Sequence, residues 1–514
     1  MARDSKEERL TTASDSHASA RAALQEGRSA LVWQRLIADT ETPVSAAMKL
    51  IEPGRGDFIL ESVEGGAVRG RYSLIGLAPD LVFRAFGTRA EINRQWRTDR
   101  EVFAPLDAHP LSALRTLVAE CRADVAPELP PALACLVGYF AYETIGLVEK
   151  LPRAPDNGLG TPDMLFVRPT VVLVFDRLAD VLYLVAPVWA GENADIEKAL
   201  SAASDRIEDV AAQLAKPLPR QAAPDFDPAD IAMTPVTAPE RYREMVLRAK
   251  DYIVAGDIFQ VVLAQRFTTP FTLPPIDLYR ALRRINPSPF LYHLDLPGFA
   301  LTGSSPEILV RARDGEVTIR PIAGTRPRGK TAVEDAENRD SLLADPKERA
   351  EHLMLLDLGR NDVGRVAAAG TVKVTDSYMV EFYSHVMHIV SNVVGRLAPG
   401  KDALDALFAG FPAGTVSGAP KVRACEIIAE LEPESRGPYA GGVGYFSPDG
   451  NMDSCIVLRT ALIKDGVMHV QAGAGIVADS DPAYEQRECE AKSGALFAAG
   501  REAVKVARDA GFGQ

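Results

Sequence analysis

The sequence has few cysteines, no concentration of basic residues and no long apolar segment, and each absence excludes a class of protein. Its five cysteines in 514 residues show no C-x-x-C spacing, so neither a disulfide scaffold nor a zinc site is predicted, and a reducing cytoplasm is the simplest location. The net charge of -13, without a basic stripe, argues against nucleic acid as a partner. The longest apolar runs, such as residues 171–175, have strand length, and the polar start lacks a signal segment, so no membrane span or secretion is predicted.

The composition, with 47% hydrophobic and 25% charged residues, is typical of a globular protein with a large core. Proline clusters and polar stretches divide the chain. We predict four segments: a disordered arm at 1–25, a first region at 26–190, a helix and proline-rich linker at 191–239, and a second region at 240–505. Strand-like runs with few helical stretches between them favour an α+β fold with antiparallel sheets over alternating βαβ units.

Carboxylates recur on one face of two predicted helices near residues 346–357 and 482–498. Glu348 and Glu351 form the first pair, and Glu485 and Glu488, followed one turn later by Lys492, form the second. Spacings of three, four and seven place side chains on one stripe of a helix. Because apolar residues surround these acids, and clustered like charges need a cation between them, the pattern points to Mg2+, which binds few carboxylates and keeps waters. Ordinary ion pairs on a solvated helix face are the alternative.

Two further motifs indicate sites for anions. The small residues at 472–475 could expose backbone N–H groups to a carboxylate, or could form a tight β-turn. The stretch at 320–329, with Arg320, Arg326 and Arg328, concentrates cations and a turn where an anion could dock, or is a solvated hairpin.

Taken together, five motif blocks resemble the chorismate-utilising enzymes, and the closest similarity is to anthranilate synthase component I. The blocks lie in order at 320–325, 326–329, 351–362, 418–421 and 471–475, and the first region also resembles the N-terminal region of that family. The resemblance implies antiparallel sheets from two interlocked halves, packed face to face with helices outside. It also implies that 240–505 is the chorismate-binding catalytic domain.

The resemblance implies chorismate as substrate and Mg2+ as cofactor. Glu351 and Glu488 match the metal ligands, and Glu348 and Glu485 match acids that orient metal-bound water. The positions that match substrate-binding residues are Gly324, Thr325, Tyr439, Arg459, Gly473, Ala474, Gly475 and Lys492. A planar carboxylate of the substrate suits the fork of an arginine such as Arg459.

The positions that match catalytic residues are Glu307, His388, Gln260 and Thr415. By resemblance, Glu307 is the general acid for the departing hydroxyl and His388 belongs to the pyruvate-elimination step. Relatives that add water have a lysine in place of Gln260. Aminodeoxychorismate synthases have a nucleophilic lysine in place of Ala323. This chain is therefore predicted to use ammonia directly and to form anthranilate and pyruvate.

Regulation and partners are also implied by the resemblance. Ser62, Pro289, Phe290 and Leu291 match segments that hold L-tryptophan in feedback-inhibited members, or are purely structural. No glutaminase nucleophile motif is present, so ammonia is expected from a separate glutamine amidotransferase subunit, in a heterotetramer of two copies of each chain. The alternatives are aminodeoxychorismate synthase component I, which Ala323 disfavours, and a non-catalytic tryptophan-binding subunit, which the complete set of acids disfavours.

Overall fold

The computed structural model describes residues 12–64, 68–191, 195–219, 227–383 and 386–509. Within these ranges the helices are α1 (Ala13–Gln25), α2 (Pro43–Leu50), α3 (Pro110–Glu120), α4 (Ile196–Leu214), α5 (Pro239–Val254), α6 (Pro275–Ile285), α7 (Ala332–Ala344), α8 (Pro346–Gly364), α9 (Ala403–Gly410), α10 (Lys421–Leu431) and α11 (Pro482–Arg508). The strands of the first half are β1 (Ala30–Ile37), β2 (Asp57–Glu64), β3 (Val68–Leu77), β4 (Leu81–Phe86), β5 (Arg89–Asn93), β6 (Ala104–Leu106), β7 (Leu136–Phe140), β8 (Met164–Arg168), β9 (Val171–Asp176) and β10 (Val181–Val188). Those of the second half are β11 (Thr234–Pro235), β12 (Gln260–Pro270), β13 (Phe290–Leu296), β14 (Phe299–Ser305), β15 (Ile308–Arg313), β16 (Glu316–Ile319), β17 (Ile322–Pro327), β18 (Lys373–Phe382), β19 (Val386–Arg396), β20 (Gly418–Ala419), β21 (Gly442–Phe446), β22 (Met452–Ile456), β23 (Thr460–Lys464) and β24 (Val467–Ile476).

The strands form two 12-stranded antiparallel sheets, and each sheet takes strands from both halves of the chain. The first has the order β1-β10-β9-β3-β2-β13-β14-β23-β24-β12-β11, with β20 beside β12. The second has the order β17-β19-β16-β15-β22-β21-β7-β8-β4-β5-β6, with β18 beside β19. The halves join where β2 pairs with β13 and where β7 pairs with β21.

Glycine makes the second junction possible. Gly138 of β7 lies opposite Gly444 of β21. A Cβ on Gly138 would lie 1.9 Å from the carbonyl oxygen of Leu165, and one on Gly444 would lie 2.4 Å from that of Asp453. Any larger residue would therefore push the neighbouring strands apart at the seam between the halves.

The two sheets pack face to face over a shared core. Phe58 and Leu74 of the first sheet belong to one apolar cluster with Tyr139 and Val443 of the second, and the rings of Tyr139 and Phe299 meet edge to face at 5.9 Å. Helices α1, α2 and α4 cover the other face of the first sheet through alanines and leucines. The prediction of antiparallel sheets from interlocked halves with helices outside is confirmed.

One segment departs from the prediction. Ala13–Gln25, expected to belong to a disordered arm, is helical. Two contacts hold this helix in place. Ala20 and Ala23 are buried against the first sheet, and the hydroxyl of Ser16 accepts a hydrogen bond from the backbone amide of Trp33 at 3.0 Å. Residues 1–11 lie outside the described residues. In the described part of the chain, no helix has the length and apolar character needed to cross a membrane.

Candidate active site

The two acidic helices begin close to each other. Asp345 caps α8 by accepting the backbone amides of Lys347 at 2.9 Å and Glu348 at 3.3 Å, which fixes the first turn that carries the acids. Burial, followed by the charge of Glu348, raises the pKa of Glu351, and the charge of Glu488 on α11 acts in the same direction. Acids from α8 and α11 therefore share one electrostatic environment.

The acids of α11 are tied to strand β24. Lys492 contacts Glu488 at 2.7 Å and donates to the carbonyl oxygen of Gly473 at 2.9 Å. Glu485 is buried, and this burial raises its pKa. Lys492 thus lies between a predicted metal ligand and the predicted carboxylate-binding segment.

The donor set fits a Mg2+ ion that keeps most of its waters. Among the described residues, no three His, Cys, Asp or Glu side chains are arranged as a ready-made metal cage. Mg2+ does not need one, because it is held by one or two carboxylates together with waters and substrate oxygens. Glu351 and Glu488, whose negative charges oppose each other, provide two such carboxylates.

Gln260 begins β12 beside these acids. Its Nε2 donates to Oε1 of Glu351 at 3.4 Å. Its Oε1 is buried and finds no hydrogen-bond partner in the described residues. An unpaired buried acceptor is costly, so this amide is suited to receive an N–H group of a ligand.

The small residues at 473–475 form part of a strand, so the alternative of a tight β-turn is wrong. Ala474 pairs with Leu263 of β12, and Gly475 with Val262. On the other side, β23 pairs with β24 only as far as Val470, so in the described residues no strand covers the backbone at 473–475. Glycine matters here, because a Cβ on Gly475 would lie 2.5 Å from Nε2 of Gln260.

Strands β17 and β19 bring Thr325 opposite His388. Nδ1 of His388 lies 2.9 Å from the carbonyl oxygen of Gly324 and 3.1 Å from the hydroxyl of Thr325. Because a carbonyl only accepts, Nδ1 carries the proton, and Nε2 retains its lone pair. Burial lowers the pKa of His388, so the ring is neutral at neutral pH and can accept a proton.

Glu307 is a buried acid. The hydroxyl of Thr415 donates to its Oε1 at 3.0 Å, and burial raises its pKa to about 8. Thr415 lies on the 3-10 turn Gly414–Val416. Glu307 is therefore protonated at neutral pH, which is the state that a general acid needs.

Tyr383 connects these groups, and the sequence argument missed it. Its ring meets that of His388 edge to face at 5.3 Å. Burial, followed by the charges of Glu381 and Glu307, raises its pKa. The residue follows β18 in the connection to β19 and matches none of the quoted motif blocks, so only its closeness in sequence to His388 could have drawn attention to it.

Arg459 is the cation best placed for an anionic ligand. Burial lowers its pKa, and Tyr383 is the neighbour that opposes this effect. In the described part of the chain, its guanidinium has no recorded acid partner. The backbone is held at a φ of 47°, a conformation that non-glycine residues rarely adopt and that is common at ligand sites.

Tyr439 lies on the side of the glycine strand. Its ring is buried, and a Cβ on Gly473 would lie 2.9 Å from its hydroxyl oxygen. Arg436 lies 5.6 Å from the centre of the ring, where cation–π attraction holds the ring in place. Tyr439, predicted to bind the substrate, therefore lies beside the 473–475 segment.

The expectation that Arg326 and Arg328 form an anion-docking site is wrong. Arg326 contacts Asp345 at 2.7 Å and Glu348 at 3.0 Å. Arg328 contacts Asp335 at 2.7 Å. Both charges are already neutralised by acids of the chain, which sequence spacing could not reveal because the partners come from the following helices.

The residues predicted to hold an inhibitor meet at the seam between the halves. Ser62 of β2 pairs with Phe290 of β13, and Glu61 pairs with Leu291. Pro289, which directly precedes β13, is partly buried. The first and second halves therefore contribute side by side to this segment.

Comparisons with known proteins agree with this arrangement. A family described as chorismate binding enzyme matches residues 63–498. Anthranilate synthase component 1 of Cereibacter sphaeroides is 53% identical over 489 residues, covering 95% of this chain and 97% of that protein. The corresponding protein of Thermus thermophilus is 48% identical, covering 90% of this chain and 96% of that protein.

The crystal structure of anthranilate synthase component I from Streptococcus pneumoniae superposes with a TM-score of 0.75 at 36% identity, covering 90% of this chain and 99% of that one. An isochorismate synthase of Escherichia coli, at 19% identity and a TM-score of 0.68, shares the fold. This chain is therefore a member of the chorismate-binding enzyme family, in the branch of anthranilate synthase component I.

Proposed function

We propose that this chain is the large subunit of anthranilate synthase, which converts chorismate and ammonia into anthranilate, pyruvate and water. The observation that carries the proposal is a protonated acid and a neutral base that share the neighbour Tyr383. Burial raises the pKa of Glu307 to about 8 and lowers that of His388, and Tyr383 lies next to both. Groups whose environments push their pKa values apart are typical of acid and base roles.

In the first step, ammonia forms a bond to the ring carbon beside the carboxylate, the ring double bonds shift, and the 4-hydroxyl departs. Glu307 gives the proton that turns the departing hydroxyl into water, and the ammonium nitrogen formed by the attack then loses one proton, which restores the acid form of Glu307. Thr415 holds one carboxyl oxygen of Glu307 at 3.0 Å, so the other carries the proton. The unpaired oxygen of Gln260 accepts an N–H of the attacking ammonia, which needs no base to become a nucleophile.

In the second step, the aminated ring loses a proton and the bond to the enolpyruvyl oxygen breaks. Nε2 of His388 takes the ring proton, because Nδ1 already donates to Gly324. The enolpyruvate that leaves gains a proton and becomes pyruvate. Aromatisation makes this step favourable, so the protein needs only to position the groups and to stabilise charge.

Substrate binding rests on the two ends of the pocket. Arg459 binds one carboxylate, with Tyr439 and the open backbone at 473–475 beside it. Gly324 and Thr325 line the turn next to the ring, and Lys492 neutralises Glu488 at 2.7 Å. When bound, Mg2+ would neutralise the ring carboxylate, with Glu351 and Glu488 as its ligands and with Glu348 and Glu485 orienting its waters.

The partner and the location are part of the same proposal. Ammonia comes from a separate glutamine amidotransferase subunit, in a heterotetramer of two copies of each chain. The reaction takes place in the cytoplasm, and the burial of all five cysteines as free thiols is compatible with a reducing compartment. L-Tryptophan binds at the seam formed by Ser62, Pro289, Phe290 and Leu291 and inhibits the reaction.

The test is the fluorescence of anthranilate formed from chorismate, Mg2+ and an ammonium salt at mildly alkaline pH, without the partner subunit. We expect a signal that disappears with a chelator and in Glu351→Gln. Glu337→Gln, which changes an exposed acid of α7, is the matched control and should keep the activity. Chorismate consumption with an aminated product that retains its pyruvate would instead identify an aminodeoxychorismate synthase. No consumption at all, with tryptophan still bound, would identify a regulatory subunit.

A further inference from the structure

Arg326 is fixed at the edge of the acid cluster by three oxygen atoms. Nη1 donates to Oε1 of Glu348 at 3.0 Å and to the carbonyl oxygen of Thr325 at 2.9 Å, and Nη2 donates to Oδ2 of Asp345 at 2.7 Å. Thr325 is a predicted substrate-binding residue of β17, Asp345 caps α8, and Glu348 lies in the first turn of that helix. One guanidinium therefore ties strand β17 to the helix that carries the metal-binding acids.

This contact uses only one oxygen of Glu348. Within the described residues, its Oε2 forms no hydrogen bond. Oε2 lies close to Gly324 of β17, because a Cβ on Gly324 would be 3.1 Å from it. Gly324 has a φ of +74°, so a side chain at this position is disfavoured on backbone grounds as well. The absence of a side chain there leaves room for this carboxylate, whose charge also raises the pKa of Glu351.

We propose that Arg326 is a positioning residue for the divalent cation: it holds Glu348 so that Oε2 faces the metal-bound waters, and it thereby sets the affinity for the metal. This inference rests on the proposed function, because it takes Glu351 and Glu488 as metal ligands. The planar fork of arginine contacts Asp345 and Glu348 at the same time, which the single ammonium of lysine does less well. Mutation of a residue that orients the ligands or waters of a metal typically lowers the affinity for the metal 10- to 100-fold.

The sign of the effect separates positioning from simple charge. Arg326 is a cation near a cation site, so its charge alone repels the metal, and its removal would tighten binding. Orientation of Glu348 acts in the opposite direction, and its loss would weaken binding. The proposal states that orientation dominates.

The experiment measures Mn2+ binding to the purified chain through the electron paramagnetic resonance signal of free Mn2+. We expect Arg326→Gln to weaken binding at least about 10-fold and Arg326→Lys to recover part of it. Arg328→Gln is the matched control, because this arginine lies two residues away and contacts Asp335, the carbonyl oxygen of Tyr383 and the ring of Phe382 instead of Glu348; it should leave binding unchanged. The double variant Arg326→Gln/Glu348→Gln should bind no more weakly than Glu348→Gln alone, because Arg326 acts through Glu348.

Unchanged or tighter binding in Arg326→Gln overturns the proposal, and so does a double variant in which the two losses add. Circular dichroism and the unfolding midpoint of each variant identify any loss of fold, and Arg326→Lys preserves the charge if the glutamine variant is unstable. If the unaltered chain shows no Mn2+ binding that depends on Glu351, the metal site of the proposed function fails and this inference fails with it. Normal Glu351-dependent binding combined with an inert Arg326 refutes the inference alone.

Discussion

Replacing Glu307 by glutamine should make the protein more stable while abolishing its activity. Burial raises the pKa of this carboxyl from 4.5 to about 8, and Glu307 is only 8% exposed. The shift of about 3.5 units, at 1.36 kcal/mol each, means that ionising the buried acid costs roughly 5 kcal/mol. Glutamine has nearly the same shape and can still accept the hydroxyl of Thr415, but it never ionises.

The effect has a defined dependence on pH. Because the folded state binds this proton more tightly than the unfolded state, stability is lost as the pH rises from the unfolded pKa near 4.5 to the folded pKa near 8. The loss amounts to about 1.4 kcal/mol for each pH unit in that window. The advantage of Glu307→Gln over the unaltered protein should therefore grow by about 3 kcal/mol between pH 5.5 and 8.5 and should change little at higher pH.

The assay is urea unfolding of both proteins at several pH values, with anthranilate formation measured in parallel. Glu337→Gln serves as the control for loss of one exposed acid and should show no comparable trend. If the difference in unfolding free energy between the two proteins does not change with pH, the raised pKa of Glu307 is refuted. Normal turnover by Glu307→Gln would show that Glu307 is not the general acid.

Three further outcomes follow from the site. Arg459→Gln should raise the KM for chorismate roughly 10- to 100-fold, because a charge-assisted bond contributes about 1.5–3 kcal/mol; an unchanged saturation curve would contradict its role in binding. His388→Asn should consume chorismate and accumulate an aminated product that retains its pyruvate, as detected by chromatography and mass spectrometry, whereas normal anthranilate release would show that another group takes the ring proton. Ser62→Leu should weaken tryptophan inhibition about 5- to 150-fold with kcat unchanged, and inhibition curves that coincide with those of the unaltered protein would exclude this seam as the inhibitor site.

Helix periodicity and motif order predicted much of the site. The acid stripes appear as expected on α8 and α11, since a helix of 3.6 residues per turn fixes which side chains share a face. Glu307 and Thr415, which are 108 residues apart in sequence, form a hydrogen bond, and only the family motifs could have joined them. Periodicity within one element cannot report a contact between distant segments.

The parts that the sequence did not predict depend on partners from other elements. Arg326 and Arg328 looked like free cations because their acids, Asp345 and Asp335, belong to the helices that follow. The small residues at 473–475 matched a turn in local composition, yet pairing with β12 extends them into a strand. Ala13–Gln25 was predicted to belong to a disordered arm, but a narrow face of alanines packs it against the first sheet.

The site concentrates groups that are unfavourable without ligands. Glu351 carries a raised pKa among other acids, Arg459 has no recorded acid partner in the described residues, and Gln260 has an unpaired buried oxygen. Each of these lowers the stability of the ligand-free fold. A bound cation would balance the acids, a substrate carboxylate would pair with the guanidinium, and an N–H group would satisfy the amide. The three unsatisfied groups therefore point to one set of ligands: a divalent metal, an anionic substrate and a nitrogen nucleophile.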